Sequence, residues 1–138
     1  MLFKKRLTSV QDQNRLINTL VREREAWHTF TPHFDWFHRE LRNAHAVPPN
    51  EVPENMITMN SRFALHNPES DETIVYRLAY PEAAAPAQGR ISVLSPMGMA
   101  LFGARVGQEV CWLSSAGPEV GTVRRILYQP EAAGHHHL

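Results

Sequence analysis

The 138-residue chain has a single cysteine, Cys111. One thiol excludes an internal disulfide framework and a CxxC metal knuckle, so we expect a reduced, cytoplasmic protein in which Cys111 is a core or strand thiol rather than a reactive one. The sequence also lacks net charge, because 14 Lys and Arg balance 14 Asp and Glu. This balance excludes the excess of positive charge that is typical of proteins that bind nucleic-acid phosphates. We therefore expect the chain to bind a protein partner and to have little direct nucleic-acid binding.

Long apolar runs and catalytic signatures are missing as well. No window approaches 18 apolar residues, and the basic start MLFKKRLTS is not followed by the apolar core of a signal peptide. We therefore expect neither secretion nor a membrane partner. The chain has no Gly-rich phosphate loop, no GxSxG and no nucleophile with an identifiable base and orienting group. The sequence predicts a protein that is not an enzyme and needs no cofactor.

Helical periodicity fills the first third of the chain. A first helix, capped by Thr8 or Ser9, is predicted from apolar residues spaced three or four apart: Leu7, Val10, Ile17 and Val21. The spacing calls for another apolar residue at position 14, where the chain has Asn14. A second helix, opened by Thr31-Pro32, is predicted from another stripe: Phe30, Phe34, Phe37, Leu41 and Ala44. Because the connection is short, we expect residues 1–47 to form an antiparallel coiled-coil hairpin. Asn14 would fix its register or make a functional contact.

A proline-rich linker at residues 48–53 ends this pattern, and the period of strands follows it over residues 54–138. Strands are predicted at 56–65, 73–80, 90–94, 106–113 and 120–128. Ser95 as a cap, Pro96 at the first helical position and Gly103 as a stop predict one short helix near 96–102. The result is an α+β domain with a five-stranded, mostly antiparallel sheet, one short helix and a short tail.

The predicted hairpin tip carries two acidic and two aromatic candidates: Glu23, Glu25, Trp27 and Phe30. The acidic pair either contributes oxygen ligands to a metal ion shared with a partner or, as we favour, is a solvated last turn beside Arg22 and Arg24. The aromatic pair either anchors the tip inside a partner or plugs the open end of the hairpin.

Histidines are frequent, but their spacing does not indicate zinc. Intervals of five and seven do not place two imidazoles on one helical face, and no cysteine completes the set: His28, His33, His38 and His45. We expect no metal site, and no fold role for the tail His135-His136-His137. Ser95 is better explained as a helix cap than as a nucleophile. We expect either Met97 or Met99 in the core, while an adaptable binding surface is the alternative role for these methionines.

Several short runs beyond residue 53 resemble the signature of the Gre-factor C-terminal domain. These runs are Met59-Asn60-Ser61-Arg62, Tyr80-Pro81-Glu82, Ile91 to Gly98, Ala100-Leu101 with Gly103, and Val106-Gly107. The ending from Tyr128 to Gly134 is similar to the Rnk branch, the regulators of nucleoside diphosphate kinase. The similarity covers about residues 53–134 in sequence and residues 1–47 only in architecture.

The resemblance implies an FKBP-like C-terminal domain, without prolyl isomerase activity in Gre factors, joined to a coiled coil that enters the secondary channel of RNA polymerase. It also implies that the start of the short helix grips the polymerase rim: Ser95, Pro96 and Met97. The acidic tip of Gre factors helps to hold a catalytic magnesium ion for transcript cleavage. Here residues 23–31 depart from the Asp-Leu-x-x-Asn/Glu pattern and the arm is shorter, so we expect polymerase binding without cleavage stimulation.

Three functions follow as hypotheses. The leading one is a monomeric transcription regulator that docks at the secondary-channel rim of RNA polymerase and works by occupancy. The second is an adaptor that regulates nucleoside diphosphate kinase or another metabolic enzyme. The third is an FKBP-like prolyl isomerase, which an aromatic-lined, peptide-sized pocket would favour.

Overall fold

A computed structural model describes residues 6–27 and 32–135, apart from the side chains of residues 24–27 and 32. Two compact units make up the chain, Met1–Val52 and Pro53–Leu138. Within the described ranges, no helix is both long enough and apolar enough to span a membrane.

The N-terminal unit contains both predicted helices and two strands that the sequence did not indicate. Its elements are β1 (Leu7–Ser9), α1 (Val10–Trp27), α2 (Pro32–Arg42) and β2 (His45–Val47), followed by a 3-10 turn at Pro49–Glu51. β1 and β2 pair in parallel, with Leu7 opposite His45. Three residues are too few to show the period of a strand, which explains why this pairing escaped the sequence prediction.

The start of α1 is fixed by its cap and by a contact with α2. The hydroxyl of Ser9 accepts a hydrogen bond of 3.0 Å from the backbone N–H of Asp12, so Ser9 supplies the predicted cap. The side-chain Nε2 of Gln13 donates to the carbonyl of Leu41 over 2.9 Å. The last turn of α2 therefore lies beside the first turn of α1.

The buried face of α1 is not the predicted stripe. Leu16 and Leu20 are buried, whereas Val10 and Val21 are each 41% exposed. Asn14 is exposed too, which contradicts its proposed role in setting the register of the helices. The buried face also carries two polar residues, Asp12 and Thr19. Because these polar residues break the apolar pattern of the buried face, the sequence prediction selected the neighbouring face of the helix. For α2 the prediction holds at Phe37 and Leu41, both fully buried, while Phe30 lies outside the described residues.

The C-terminal unit is a five-stranded sheet with short helices, which confirms the α+β class. Its strands are β3 (Arg62–Asn67), β4 (Glu72–Ala79), β5 (Arg90–Ser92), β6 (Glu109–Ser114) and β7 (Gly117–Tyr128). They lie in the order β5-β4-β3-β7-β6. Only the β4–β5 pair is parallel in this sheet. The helices are α3 (Pro96–Leu101), as predicted, and a short α4 (Pro130–Ala133) that was not.

The strand predicted at residues 56–65 begins only at Arg62. The preceding residues form a turn in which the Ser61 N–H bonds to the Thr58 carbonyl at 3.1 Å. Asn60 has a φ of +67°, in the left-handed region that interrupts a strand. Similarly, the strand predicted from Val106 begins at Glu109, after Gly107 with a φ of +91°.

This turn, whose apolar residues are buried, is hydrogen-bonded to the segment that follows β7. The Nε2 of Gln129 donates to the carbonyls of Pro53 and Met56 over 2.7 and 2.8 Å. The Thr58 hydroxyl donates to a carboxylate oxygen of Glu131 at 2.8 Å. Residues 129–131, which belong to the last of the runs that carry the family resemblance, are thus hydrogen-bonded to residues just before the run that begins at Met59.

The face of the sheet that packs against α3 is here called the inner face. It carries the core residues of the central strands, Phe63, Leu65, Val110 and Val123, which are all buried. Close approach of α3 to β5 requires a glycine at position 98, since a Cβ there would lie 2.0 Å from the carbonyl oxygen of Ser92. The start of α3 is therefore held tightly against the sheet.

Candidate functional site

The corner at the start of α3 is built by one serine. The Ser95 hydroxyl accepts from the Gly98 N–H at 3.0 Å and donates to the Ser92 carbonyl at 2.7 Å. This geometry confirms Ser95 as a helix cap, and it commits the hydroxyl to structure. Pro96 follows at the first helical position with its ring exposed, and Met97 is half-buried. The structure thus presents Pro96 and Met97 on a rigid support.

A pocket of about 380 Å³ opens beside this corner. Apolar side chains make up most of its lining: Pro86, Ile91, Pro96, Met97, Trp112 and Leu113. Four serines and Glu119 complete it. Leu113 is 65% exposed, which is unusual for a large aliphatic side chain beside a cavity. Such a surface fits an apolar segment of a partner better than a small charged ligand.

A second, smaller pocket of about 170 Å³ shares Met97, Trp112 and Glu119 with the first. It continues over the inner face of the sheet past Ile74 and Tyr76. We call the two pockets together the corner groove. The groove therefore runs from the proposed grip residues to the exposed end of β4.

Among the polar groups of the groove, Glu119 interacts with both of its aromatic side chains. The indole Nε1 of Trp112 donates to Oε2 of Glu119 over 2.9 Å. Burial raises the pKa of the Tyr76 phenol, and the negative charge of Glu119 raises it further. Tyr76, neutral at physiological pH like any tyrosine, therefore keeps its proton to a higher pH than an ordinary tyrosine does.

Sequence reasoning found the corner but missed most of the groove. The missed residues are Tyr76, Trp112 and Glu119. The alternation of β6 could have predicted Trp112, which is two residues from the buried Val110 and therefore lies on the same face of the strand. The pairing of β6 with β7, which brings Glu119 opposite Trp112, is not visible in one strand's pattern.

The remaining candidates fare differently. Met99 is buried in the core and Met97 lines the groove, as expected of the pair. Cys111 was expected to be a core or strand thiol, and it lies on β6, where it is exposed and not in the core. Its side chain points away from that of the neighbouring Trp112. Glu23 is half-buried near the end of α1. The side chains of Glu25 and Trp27, and the whole of Phe30, lie outside the described residues.

The histidines form no visible metal centre. Over residues 6–27 and 32–135, no three side chains of His, Cys, Asp or Glu come together as a possible metal site. His135 does have a structural contact, because its Nδ1 lies 2.6 Å from the Tyr128 hydroxyl. The start of the histidine tail thus packs on the sheet, contrary to expectation.

Comparison with known proteins identifies the class to which this fold and corner belong. Residues 52–128 match the family model of the C-terminal region of the transcription elongation factors GreA and GreB. This match takes in more than half of the chain, so the chain belongs to the GreA/GreB family. The resemblance seen in the sequence runs is thereby confirmed.

Particular relatives narrow the placement within the family. The "Regulator of nucleoside diphosphate kinase" of Escherichia coli (strain K12) is 39% identical over 106 residues, which cover 75% of this chain and 76% of the relative. The GreA of Helicobacter hepaticus is 30% identical over 89 residues, or 64% of this chain and 55% of the relative. A solved GreA/GreB factor from Nitrosomonas europaea aligns with a TM-score of 0.75 and 30% identity, covering 91% of this chain and all of that one.

Proposed function

We propose that the chain is an RNA polymerase-binding transcription factor of the Rnk type that docks at the secondary-channel rim and modulates transcription by occupancy. Membership of the GreA/GreB family supports the polymerase as partner. The 39% identity to a regulator of nucleoside diphosphate kinase supports the Rnk type. In this proposal the C-terminal unit is an FKBP-like docking domain and α1 and α2 form the coiled-coil hairpin.

The corner groove is the observation that carries the docking proposal. Two of its donors, the Ser95 hydroxyl and the Trp112 indole N–H, already have intramolecular partners, so covering them with a partner leaves them hydrogen-bonded. Its apolar residues, led by Pro96 and Met97, remain available for burial. Apolar anchors surrounded by satisfied polar groups are the arrangement from which protein interfaces gain affinity.

The absence of transcript-cleavage stimulation is the second part of the proposal. It rests on the tip sequence, which lacks the acidic pattern of Gre factors. Glu23 lies on α1, and its partner in any metal site would have to be Glu25, two residues away on a helix. Residues two apart do not face each other on a helix, so this spacing argues against a shared metal ion.

The decisive test is capture of purified core RNA polymerase by the full chain, followed by competition with a Gre factor for the secondary channel. We expect stoichiometric binding, and we expect the Gre factor to displace the chain from the polymerase. Binding without competition would refute the channel as the docking place, and no binding would refute the polymerase as partner.

The same capture experiment with nucleoside diphosphate kinase tests the adaptor hypothesis, which the name of the first relative favours.

The groove also keeps the prolyl isomerase hypothesis open to experiment, because Trp112 and Tyr76 line a cavity of peptide size. A protease-coupled assay on a proline-containing peptide tests it. We expect no acceleration above the uncatalysed rate. Acceleration that Trp112→Ala abolishes would instead assign an enzymatic role to the groove.

A further inference from the structure

Strand register aligns four residues across four neighbouring strands of the C-terminal unit. Tyr128 of β7 is paired with Arg62 of β3, and Arg62 is paired with Arg77 of β4. Arg77 is paired in turn with Arg90 of β5. Directly paired residues project from the same face of a sheet, so one tyrosine and three arginines form a row. We call these four residues the arginine row.

The arginine row lies on the outer face of the sheet, away from the corner groove. Side chains alternate between faces along a strand, and Phe63, next to Arg62, is buried on the inner face. Ile91, next to Arg90, lines the groove. Arg125, paired with Ala64, adds a fourth arginine to the outer face, and it is exposed like Arg62, whereas Arg77 and Arg90 are half-buried.

No carboxylate within the described part of the chain forms an ion pair with the three arginines of the row or with Arg125. Like charges on directly opposed strand positions destabilise a sheet, so the Arg62–Arg77 pair costs the fold stability. The Nε of Arg77 is buried and has no hydrogen-bond partner. The row is therefore a concentration of positive charge that the described chain does not compensate.

The guanidinium groups are oriented rather than loose. That of Arg77 stacks over the ring of Tyr128 at 5.7 Å, and Arg90 donates from Nε to the Ala83 carbonyl at 3.0 Å. A guanidinium fixed in this way loses less conformational entropy when it binds an anion, and its planar fork suits a carboxylate.

We propose that the arginine row binds the acidic face of a helix in a protein partner. Neighbouring strands lie about 4.8 Å apart, so the row repeats its charges at about this interval. Carboxylates at positions i and i+4 of a helix are about 5 to 6 Å apart at Cβ, which matches the row closely enough for successive Arg–carboxylate pairs. Alternate residues of an extended chain, about 7 Å apart, match it less well.

Charge and composition favour a protein over a nucleic acid. The chain has 14 basic and 14 acidic residues, so it produces no overall field that would draw in a phosphate backbone. A single-strand binder also needs free aromatic faces on which bases stack. The aromatic member of the row, Tyr128, already contacts Arg77 and His135. This surface goes beyond the proposed docking corner, which lies on the other face.

The test uses an alanine-based helical peptide with a fluorescent label and glutamate at every fourth position. Its anisotropy is followed on titration with the full chain at low and at high salt. We expect binding that salt weakens, and a loss of affinity of about tenfold or more in Arg62→Gln plus Arg77→Gln. Arg105→Gln, an exposed arginine of the same unit outside the row, should bind as the wild type does.

Two comparison probes identify the partner class. A peptide with the same glutamates but a central proline, which breaks the helix, should bind more weakly than the helical one. Single-stranded oligothymidine should bind more weakly as well. No binding of the helical peptide, equal binding by the double variant, or a preference for oligothymidine would each overturn the proposal. Circular dichroism monitors folding, and the exposed Arg62→Gln alone supplies the test if the double variant unfolds.

Discussion

Trp112 and Glu119 occupy directly opposed positions on β6 and β7, and the indole N–H donates a 2.9 Å hydrogen bond to the carboxylate. Both residues line the corner groove, and the bond holds a negative charge near Tyr76. Since Met97 lines both parts of the groove with these two residues, the carboxylate is also close to the proposed grip. The pair therefore both holds the two strands' side chains together in the groove and sets the charge near Tyr76.

The raised pKa of Tyr76 predicts a loss of stability at alkaline pH. The native state holds the phenol proton more tightly than the unfolded chain, whose tyrosines titrate near pH 10. The unfolded state therefore releases this proton first as the pH rises, and the free energy of unfolding falls above about pH 10. We expect Tyr76→Phe to remove part of this decline in melting temperature, whereas Tyr128→Phe serves as the matched control.

Glu119→Gln tests the electrostatic cause separately. It removes the charge but keeps an oxygen that accepts from Trp112, so the pKa of Tyr76 should fall toward its ordinary value while the fold persists. Ultraviolet absorbance of the phenolate against pH measures this shift. An unchanged titration curve would show that burial alone perturbs Tyr76.

Gly98 should tolerate no side chain. A Cβ at this position would lie 2.0 Å from the Ser92 carbonyl oxygen and 2.8 Å from the Cα of Val93, both of them backbone atoms that cannot rotate away. We expect Gly98→Ala to destabilise the C-terminal unit by about 3 kcal/mol or more, measured by urea unfolding. Gly103→Ala is the control, because space is open there and the cost comes only from its φ of +83°, about 1 to 2 kcal/mol. Equal losses in the two variants would contradict the close approach.

Local signals in the sequence predicted much of this fold. Ser95 and Pro96 mark the start of α3 without ambiguity, because a cap hydroxyl and a proline without an N–H fit the same two positions of a helix. Runs of β-favouring residues found all five strands of the sheet, although Asn60 and Gly107 delayed the start of two of them. Such left-handed residues interrupt a strand without interrupting its apolar pattern.

Contacts between distant residues were the part that the sequence did not reveal. The buried face of α1 includes Asp12 and Thr19, whose burial depends on neighbours that no local pattern records. The groove likewise depends on the β6–β7 register that joins Trp112 to Glu119. The family resemblance supplied Pro96 as the proposed position of the grip, but it did not supply the shape of the surface around it.

Polymerase binding without transcript cleavage is the expected behaviour in a backtracked elongation complex. Adding the chain with magnesium should leave the transcript length unchanged. The predicted tip lacks the acidic pattern with which Gre factors help to hold the catalytic magnesium ion. A Gre factor in a parallel reaction is the positive control. Shortening of the transcript that disappears in Glu23→Ala plus Glu25→Ala would show that the tip acts as a metal ligand after all.

Pro96→Ala should weaken polymerase binding more than it weakens folding. The proline occupies the first helical position, where a missing N–H has no intrahelical partner, so its replacement acts mainly on the unfolded chain, by about 0.4 to 1 kcal/mol. Its exposed ring borders the groove, and losing that contact in an interface should cost about 1 to 2 kcal/mol, or roughly five- to thirty-fold in affinity. Melting temperature and polymerase affinity measure the two effects.

The choice of control decides whether this comparison is informative. Glu119→Ala is unsuitable, although Glu119 is 23 residues away from Pro96 in sequence, because its side chain lines the same groove. Glu54→Ala changes an exposed carboxylate that lines neither pocket, so it should leave both measurements at the wild-type values. Ser95→Ala would lower stability by about 1 kcal/mol through loss of the cap and so mimic an interface effect. If Pro96→Ala binds the polymerase as tightly as Glu54→Ala does, the grip lies elsewhere on the domain.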